Sequence, residues 1–341
     1  MTKPTTSYLL ILLTATLCLS VLINVALGQV SIPYTEVLKS IFTAHSSRET
    51  WDYIILNFRI PKAFTAILVG IALSVAGLLM QTLFRNPLAG PDVLGLSSGS
   101  SLGVAIVVMG AAFLPPFLSA LFCSTLGMVL ASCLGSLLVL IFVLIASKKI
   151  QDSATILIIG LLFSSFTGAM ISVLTYFSTA EELQKFLFWS LGSLGNLTSN
   201  DLLIFLFCVL LGLLLAFLSI KTLDGLLLGE NYARSVGINI KKSRQIIILS
   251  SSILVGSCTA FVGPIAFVGL AVPHLAKLLF QTSNHKILLF GSLLLGANLM
   301  LLCDTISQMP SFEFTLPINA VTSIFGAPLV IWFLLNKKKL N

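Results

Sequence analysis

Residues 202–244 read LLIFLFCVLLGLLLAFLSIKTLDGLLLGENYARSVGINIKKSR, an unbroken apolar run from Leu202 to Ile220 followed by a polar stretch from Leu223 to Arg244. The apolar half has about the twenty residues that a helix needs to cross the hydrocarbon core of a bilayer. Soluble domains carry about 25% charged residues. This chain has 9% and a mean hydropathy of +1.06, which places it with membrane proteins. Barrel strands would alternate in segments of about ten, so continuous runs point to helices, whose backbone groups pair internally in lipid. The fold expected is an all-α polytopic membrane protein, a single transmembrane domain over residues 1–341.

Apolar runs predict about ten spans: roughly Tyr8 to Leu27, Ala63 to Leu83, Val93 to Met109, Phe117 to Ala146, Ala154 to Phe177, Leu202 to Ile220, Gln245 to Val262, Ile265 to Phe280, Ile287 to Cys303 and Leu316 to Leu335. Pro264 and Pro273 break the eighth, and the piece between them is too short to cross alone, which predicts a tilted or broken helix. Val69-Gly70 with Gly77 recurs as Val255-Gly256 with Gly263 in helices that run in opposite directions. This is the pattern of an inverted repeat, although two glycines at one spacing also arise by chance.

If the N-terminus is cytoplasmic, the inner loops hold Lys3, Arg85, Lys148, Lys149, Lys221, Arg234, Lys241, Lys242, Arg244, Lys277, Lys286 and Lys337 to Lys339, 14 of the 19 basic residues. The acids divide the other way, with only Asp92, Asp152, Asp224 and Glu230 inside. This positive-inside pattern accounts for the formal charge of +7 without a nucleic-acid partner. It predicts a multi-pass protein of the cytoplasmic (inner) membrane with both termini cytoplasmic. Lys3, the first apolar run and Ala26-Leu27-Gly28 imitate a signal peptide, but the run exceeds the usual length of about 7–15 residues and reads as a retained helix. The six cysteines lie in or beside apolar runs with no C-x-x-C pair and read as packing residues.

The polar stretch has no His or Cys, and its small residues Gly229, Ala233 and Gly237 leave room for another protein's side chains. It reads as a docking surface rather than an active site. The loop Arg85-Asn86-Pro87-Leu88-Ala89-Gly90-Pro91-Asp92 is stiffened by two prolines and is either a plain connector or a structural base beneath a path. Gly95-Leu96-Ser97-Ser98-Gly99 matches the G-x-S-x-G nucleophile pattern, which normally sits on a strand-to-helix turn. Here the glycines open a membrane helix and fit helix contacts better, while an intramembrane serine protease pairing Ser97 with His274 is the enzymatic alternative. No histidine pair has i, i+4 spacing, so no metal site is expected.

Two helices carry polar stripes: Ser164, Gly168, Ser172 and Thr175 in span five, and Thr315, Asn319, Thr322 and Gly326 in span ten. They line a wet path or glue helices together. No ionisable residue sits mid-span, which disfavours an ion-coupled secondary transporter, and no G-x-x-x-x-G-K-[ST] loop supplies nucleotide chemistry.

Several blocks then fall in one order: Arg59-Ile60-Pro61-Lys62, Gln81 with Arg85-Asn86-Pro87-Leu88-Ala89, Leu94-Gly95-Leu96-Ser97, Leu228-Gly229-Glu230 with Ala233-Arg234 and Gly237, Phe267-Val268-Gly269-Leu270, Pro273-His274, Gly296-Ala297 with Asp304, Leu316-Pro317, and Gly326-Ala327-Pro328. From about residue 25 to the C-terminus the chain resembles the FecCD family, permeases of type II ABC importers for ferric siderophores, haem and cobalamin. The resemblance implies a dimer of permeases, each of ten helices, above two cytoplasmic ATPases that bind ATP and Mg; this chain itself carries no cofactor. It implies a pathway lined by spans five and ten, through Ser164, Gly168, Ser172, Thr175, Asn319, Thr322 and Gly326. It makes Leu228, Gly229, Glu230, Ala233, Arg234 and Gly237 the ATPase-coupling helices, with Glu230 and Arg234 spaced to pair, Gly237 ending the turn, and Leu226 to Leu228 as an apolar anchor. Arg59 and Lys62 would receive an extracytoplasmic substrate-binding protein. Gln308 stands where a third basic residue is expected, and Thr315 and Asn319 also depart from the family pattern.

Overall fold

The computed structural model describes residues 4–43, 46–110, 124–149, 153–195, 197–308 and 315–336, and among these every regular element is a helix. The chain runs through α1 (Pro4–Ala26), α2 (Tyr34–Thr43), and α3 (Glu49–Ile54), which passes through one π-helical turn (Ile55–Arg59) into α4 (Ile60–Leu83). Then come α5 (Leu96–Gly110), α6 (Thr125–Lys149), α7 (Ser153–Phe177), α8 (Ala180–Ser190), α9 (Ser199–Leu218), α10 (Ile220–Leu228) and α11 (Glu230–Ser235). The last four are α12 (Ile240–Val262), α13 (Val268–Phe280), α14 (His285–Ser307) and α15 (Ile318–Asn336). Seven helices are long and apolar enough to cross a bilayer, and α5, α13 and α15 are shorter apolar helices. Among the described residues these ten fall on the expected spans, the Phe117 to Cys123 part of the fourth lying outside them; α2, α3 and α8 add short helices between them.

The bundle is built around α4, which is buried on nearly all sides, whereas α1, α7 and α9 are buried along one stripe. Helices in lipid gain little from apolar surface alone and pack where small residues let backbones approach. Gly70 and Gly296 meet reciprocally: a Cβ on Gly70 would lie 2.2 Å from the Gly296 carbonyl oxygen, and one on Gly296 would lie 2.3 Å from that of Gly70. Gly99 and Gly135 do the same between α5 and α6. Buried serines stitch these contacts: Ser132 donates to the Gly256 carbonyl at 2.8 Å, Ser136 to that of Ser252 at 3.1 Å, and Ser250 to that of Gly212 at 2.7 Å.

The eighth span breaks once, not twice. Gly263 (φ +84°) ends α12, Pro264 lies in the unwound segment, and α13 begins after Phe267 in a left-handed conformation (φ +67°). Pro273 stays inside α13. A proline lacks the N–H that would bond the carbonyl four residues back, here that of Gly269. That carbonyl faces α4, where a Cβ on Gly77 would lie 1.7 Å from it. The glycine echo is matched in packing, since a Cβ on Gly70, Gly77, Gly256 or Gly263 would each meet neighbouring backbone, but Gly77 lies inside a helix while Gly263 caps one.

Candidate functional site

One end of the bundle carries the α10–α11 hairpin. Gly229 (φ +118°) lets α10 stop and α11 start, and Gly237 (φ +84°) closes α11, conformations that side chains rarely adopt. Ala233 is buried, 3.6 Å from where a methyl on Gly225 would sit, so this chain's own hairpin fills the space there, whereas a Cβ on Gly229 or Gly237 would meet nothing within 4 Å. Leu223 and Leu226 anchor the hairpin inward, while Leu227, Leu228, Tyr232, Arg234 and Val236 are exposed. The expected apolar anchor Leu226 to Leu228 thus splits. The side chain of Glu230, and with it the pair to Arg234, lies outside the described residues.

About 30 Å away along α4, at 1.5 Å per residue, the two expected docking bases are occupied within the subunit. Arg59 is buried, and its guanidinium donates to the carbonyls of Val25 and Ala26, each at 2.9 Å, and of Val30. It caps α1, whose last carbonyls have no helical partner. Lys62 lies 3.1 Å from buried Asp304. Asp304 also accepts from Asn24 at 2.9 Å and from Gln308, so the glutamine found in place of a third base serves this carboxylate. Neither base is a free arm for an external protein, because the buried carbonyls and carboxylate would otherwise be unpaired.

The two stripes also divide. Along α7, Gly168 and Ser172 are exposed, Gly168 with nothing within 4 Å of a Cβ. Ser164 is half-buried against Gly95, and Thr175 lies 3.9 Å from the sulfur of Met109. On α15, Thr322 and Gly326 are buried and turned inward: a Cβ on Gly326 would lie 2.4 Å from that of Phe267. Asn319 accepts the Ala266 N–H at 3.2 Å. Asn319 thus pairs with the unwound segment, while Thr322 and Gly326 line a cavity of about 280 Å³ with Phe267, Leu302 and Phe325; Ile324 and Ile331 are exposed.

The Arg85–Asn86–Pro87 loop is a stiff turn, with Asn86 Oδ1 accepting the Leu88 N–H at 2.9 Å and Arg85 at φ +47°. It then folds back into the protein, so Asp92 is not on an open surface as its place among the inner-loop acids implied. Asp92 accepts the Phe267 N–H at 3.1 Å and the Ser97 hydroxyl. Ser97 thus gives its proton to a carboxylate held by backbone, not to an imidazole. His274 lines a small crevice with Pro87, Leu88 and Leu329. The serine-protease arrangement is not assembled.

Burial pushes the Asp92 carboxyl up from 3.8 to about 6, with Ser97 and Phe267 drawing it partly back. A raised folded-state value means that the folded protein holds the proton more tightly. The stability this adds is full below the unfolded value near 3.8 and is lost as pH rises through about 6. At 1.36 kcal/mol per unit the swing is about 2–3 kcal/mol. Unfolding of the detergent-solubilised protein between pH 4 and 7 is expected to show this slope, and Asp92→Asn to flatten it. Equal slopes in the two proteins would refute the assignment.

A model of the FecCD transport family matches residues 15–336, nearly the whole chain. The chain belongs to the FecCD transport family. The permease is 34% identical over 323 residues to the hemin transport system permease protein HmuU of Yersinia pestis, covering 94% of this chain and 95% of that one. It is 31% identical over 328 residues to the vitamin B12 import system permease protein BtuC of Klebsiella pneumoniae, with 96% and 93% covered. A solved structure described as an inward-facing conformation of a metal-chelate type ABC transporter superposes with a TM-score of 0.79 at 30% identity, over 97% of this chain and 99% of that one. PsaBC from Streptococcus pneumoniae, at 19% identity and a TM-score of 0.59, shares the fold. The protein is therefore a multi-span permease subunit of a type II ABC importer, a transport component that works with ATPase and permease partners.

Sequence reasoning passed over Asn24, Thr82, Asp224 and His285 as functional positions. The only local signal for them is a polar residue at the end of an apolar run, and the partner in each case lies far along the chain.

Proposed function

We propose that this permease, as one transmembrane domain with both termini cytoplasmic, carries an iron chelate, haem or corrinoid across the inner membrane. It carries no ATPase site of its own and is driven by two cytoplasmic ATPases, which bind the ATP and Mg. The observation that carries the coupling role is the exposed apolar set Leu227, Leu228, Tyr232 and Val236 on the polar α10–α11 end. Large apolar side chains on a solvent-facing loop mark a protein contact. Leu228, Gly229, Glu230, Ala233, Arg234 and Gly237 are then the coupling segment, with the two glycines and Ala233 shaping it and Leu228 and Arg234 touching the ATPase.

The names of the hemin and vitamin B12 relatives support the cargo class. The exposed face of α7, with Gly168, Ser172, Phe166 and Met170, supports a path or an interface with a second copy in a homodimer. A substrate-binding protein would meet the opposite end, around α2, α3 and α8 rather than through Arg59. Leu228→Asp and Val236→Asp are each expected to weaken ATPase binding about thirtyfold, a loss of roughly 2 kcal/mol typical of an interface anchor, while membrane insertion is unchanged. ATPase binding at wild-type strength in both variants would overturn the coupling role. Uptake assays in proteoliposomes with haemin, cobalamin and a ferric siderophore decide the cargo.

A further inference from the structure

His285, the first residue of α14, is buried and joined to two other elements. Its backbone N–H donates to Asp224 Oδ1 at 2.9 Å, and its ring Nδ1 lies 2.7 Å from the same oxygen. Its Nε2 lies 2.9 Å from Thr82 Oγ1. Asp224 sits on α10, half exposed, and Thr82 is buried in the last turn of α4. Thr82 Oγ1 also lies 2.9 Å from the Leu78 carbonyl. A neutral ring is bonded on both sides when Nδ1–H donates to the Asp224 carboxylate and Nε2 accepts from the Thr82 hydroxyl; the hydroxyl can donate to Leu78 instead, with the ring still bonded on both sides, only if Nε2 carries a proton as well.

The hydrogen bonds thus run without a gap from α10 through the head of α14 to the foot of α4. Three residues beyond Thr82, the chain enters the stiff Arg85–Asn86–Pro87 loop, which lies against α13 and α15 at His274 and Leu329. A rigid, doubly bonded ring transmits displacement, whereas a solvated side chain would absorb it.

We propose that His285 is a positioning residue of the transport cycle: it ties the coupling hairpin to α4, so that movement of Asp224 by the ATPase reaches the 82–92 segment. This rests on the coupling reading of α10 and α11 given above. Hydrogen–deuterium exchange of the permease–ATPase complex, with and without ATP and vanadate, tests it without needing the cargo. In the wild type, nucleotide is expected to change exchange in both the 220–235 and the 78–90 peptides. In Thr82→Val, which keeps the shape and removes the hydroxyl that meets Nε2 and the Leu78 carbonyl, and in His285→Ala, the change at 220–235 should persist while that at 78–90 falls about tenfold, the effect of one lost buried hydrogen bond. ATPase binding and hydrolysis should stay near wild type in both variants. Persistence of the 78–90 response in Thr82→Val, or parallel loss of ATPase binding and both responses, would overturn the proposal, the second outcome marking a structural role. No response in either wild-type peptide would instead sink the coupling reading, and this inference with it.

Discussion

Arg59→Ala is expected to destabilise the folded permease by roughly 4 kcal/mol, at about 1.5 kcal/mol for each of three charge-assisted hydrogen bonds. The guanidinium satisfies the carbonyls of Val25, Ala26 and Val30 together. Arg59→Lys should recover little, because an ammonium cannot span three carbonyls as the planar fork does. If Arg59 instead served mainly as an arm for a binding protein, Arg59→Ala would fold with wild-type stability and lose only affinity for that protein. Thermal unfolding in detergent, run beside a binding-protein titration, separates the two outcomes.

Gly77→Leu is expected to prevent assembly of the core outright. Even a methyl would lie 1.7 Å from the Gly269 carbonyl oxygen, and the obstacle is backbone on the helix that Pro273 already constrains. Overpacking typically costs about 1–3 kcal/mol and more where the neighbour cannot move, so Gly77→Ala alone should cost at least that. Gly168→Leu is the matched control: it adds the same side chain where nothing lies within 4 Å and should fold normally. Size-exclusion profiles and yield of the three variants check this. Monodisperse Gly77→Leu protein at wild-type yield would show that α4 and α13 do not meet there.

Much of this architecture was legible because lipid enforces it locally: a run such as Leu202–Ile220 has few conformations other than a spanning helix. The hairpin glycines were legible too: Gly237 as the end of a turn, which its positive φ bears out, and both as open positions, with nothing within 4 Å of a Cβ; the positive φ of Gly229 was not foreseen. The docking bases were misread because charge on an outer loop looks the same in sequence whether it faces water or caps a neighbour. Arg59 binds carbonyls 29 to 34 residues earlier, and Lys62 binds an aspartate far later in the chain. The surroundings of the α15 stripe were not legible for a related reason. Periodicity shows that Asn319, Thr322 and Gly326 share a face but not what they meet, which is the unwound turn at Phe267 and, at Thr322 and Gly326, a cavity. Asp224, His285 and Thr82 gave no joint signal, since each is an ordinary polar residue and they lie on three helices far apart in the chain.

The carboxamide of Asn24 and the carboxylate of Asp304 are 280 residues apart in the chain. At a synthesis rate of about 5–20 residues per second, the first helix waits roughly 15–55 seconds before its partner emerges from the ribosome. Throughout that interval the Asn24 carboxamide, whose partners Leu301, Asp304 and Thr305 all lie in α14, has no native match. The opening helix therefore depends on the insertion machinery for shelter, and the bundle closes only when the ninth crossing arrives. A ribosome stalled before residue 285 should leave a nascent chain whose first segment stays beside the translocon instead of settling into lipid.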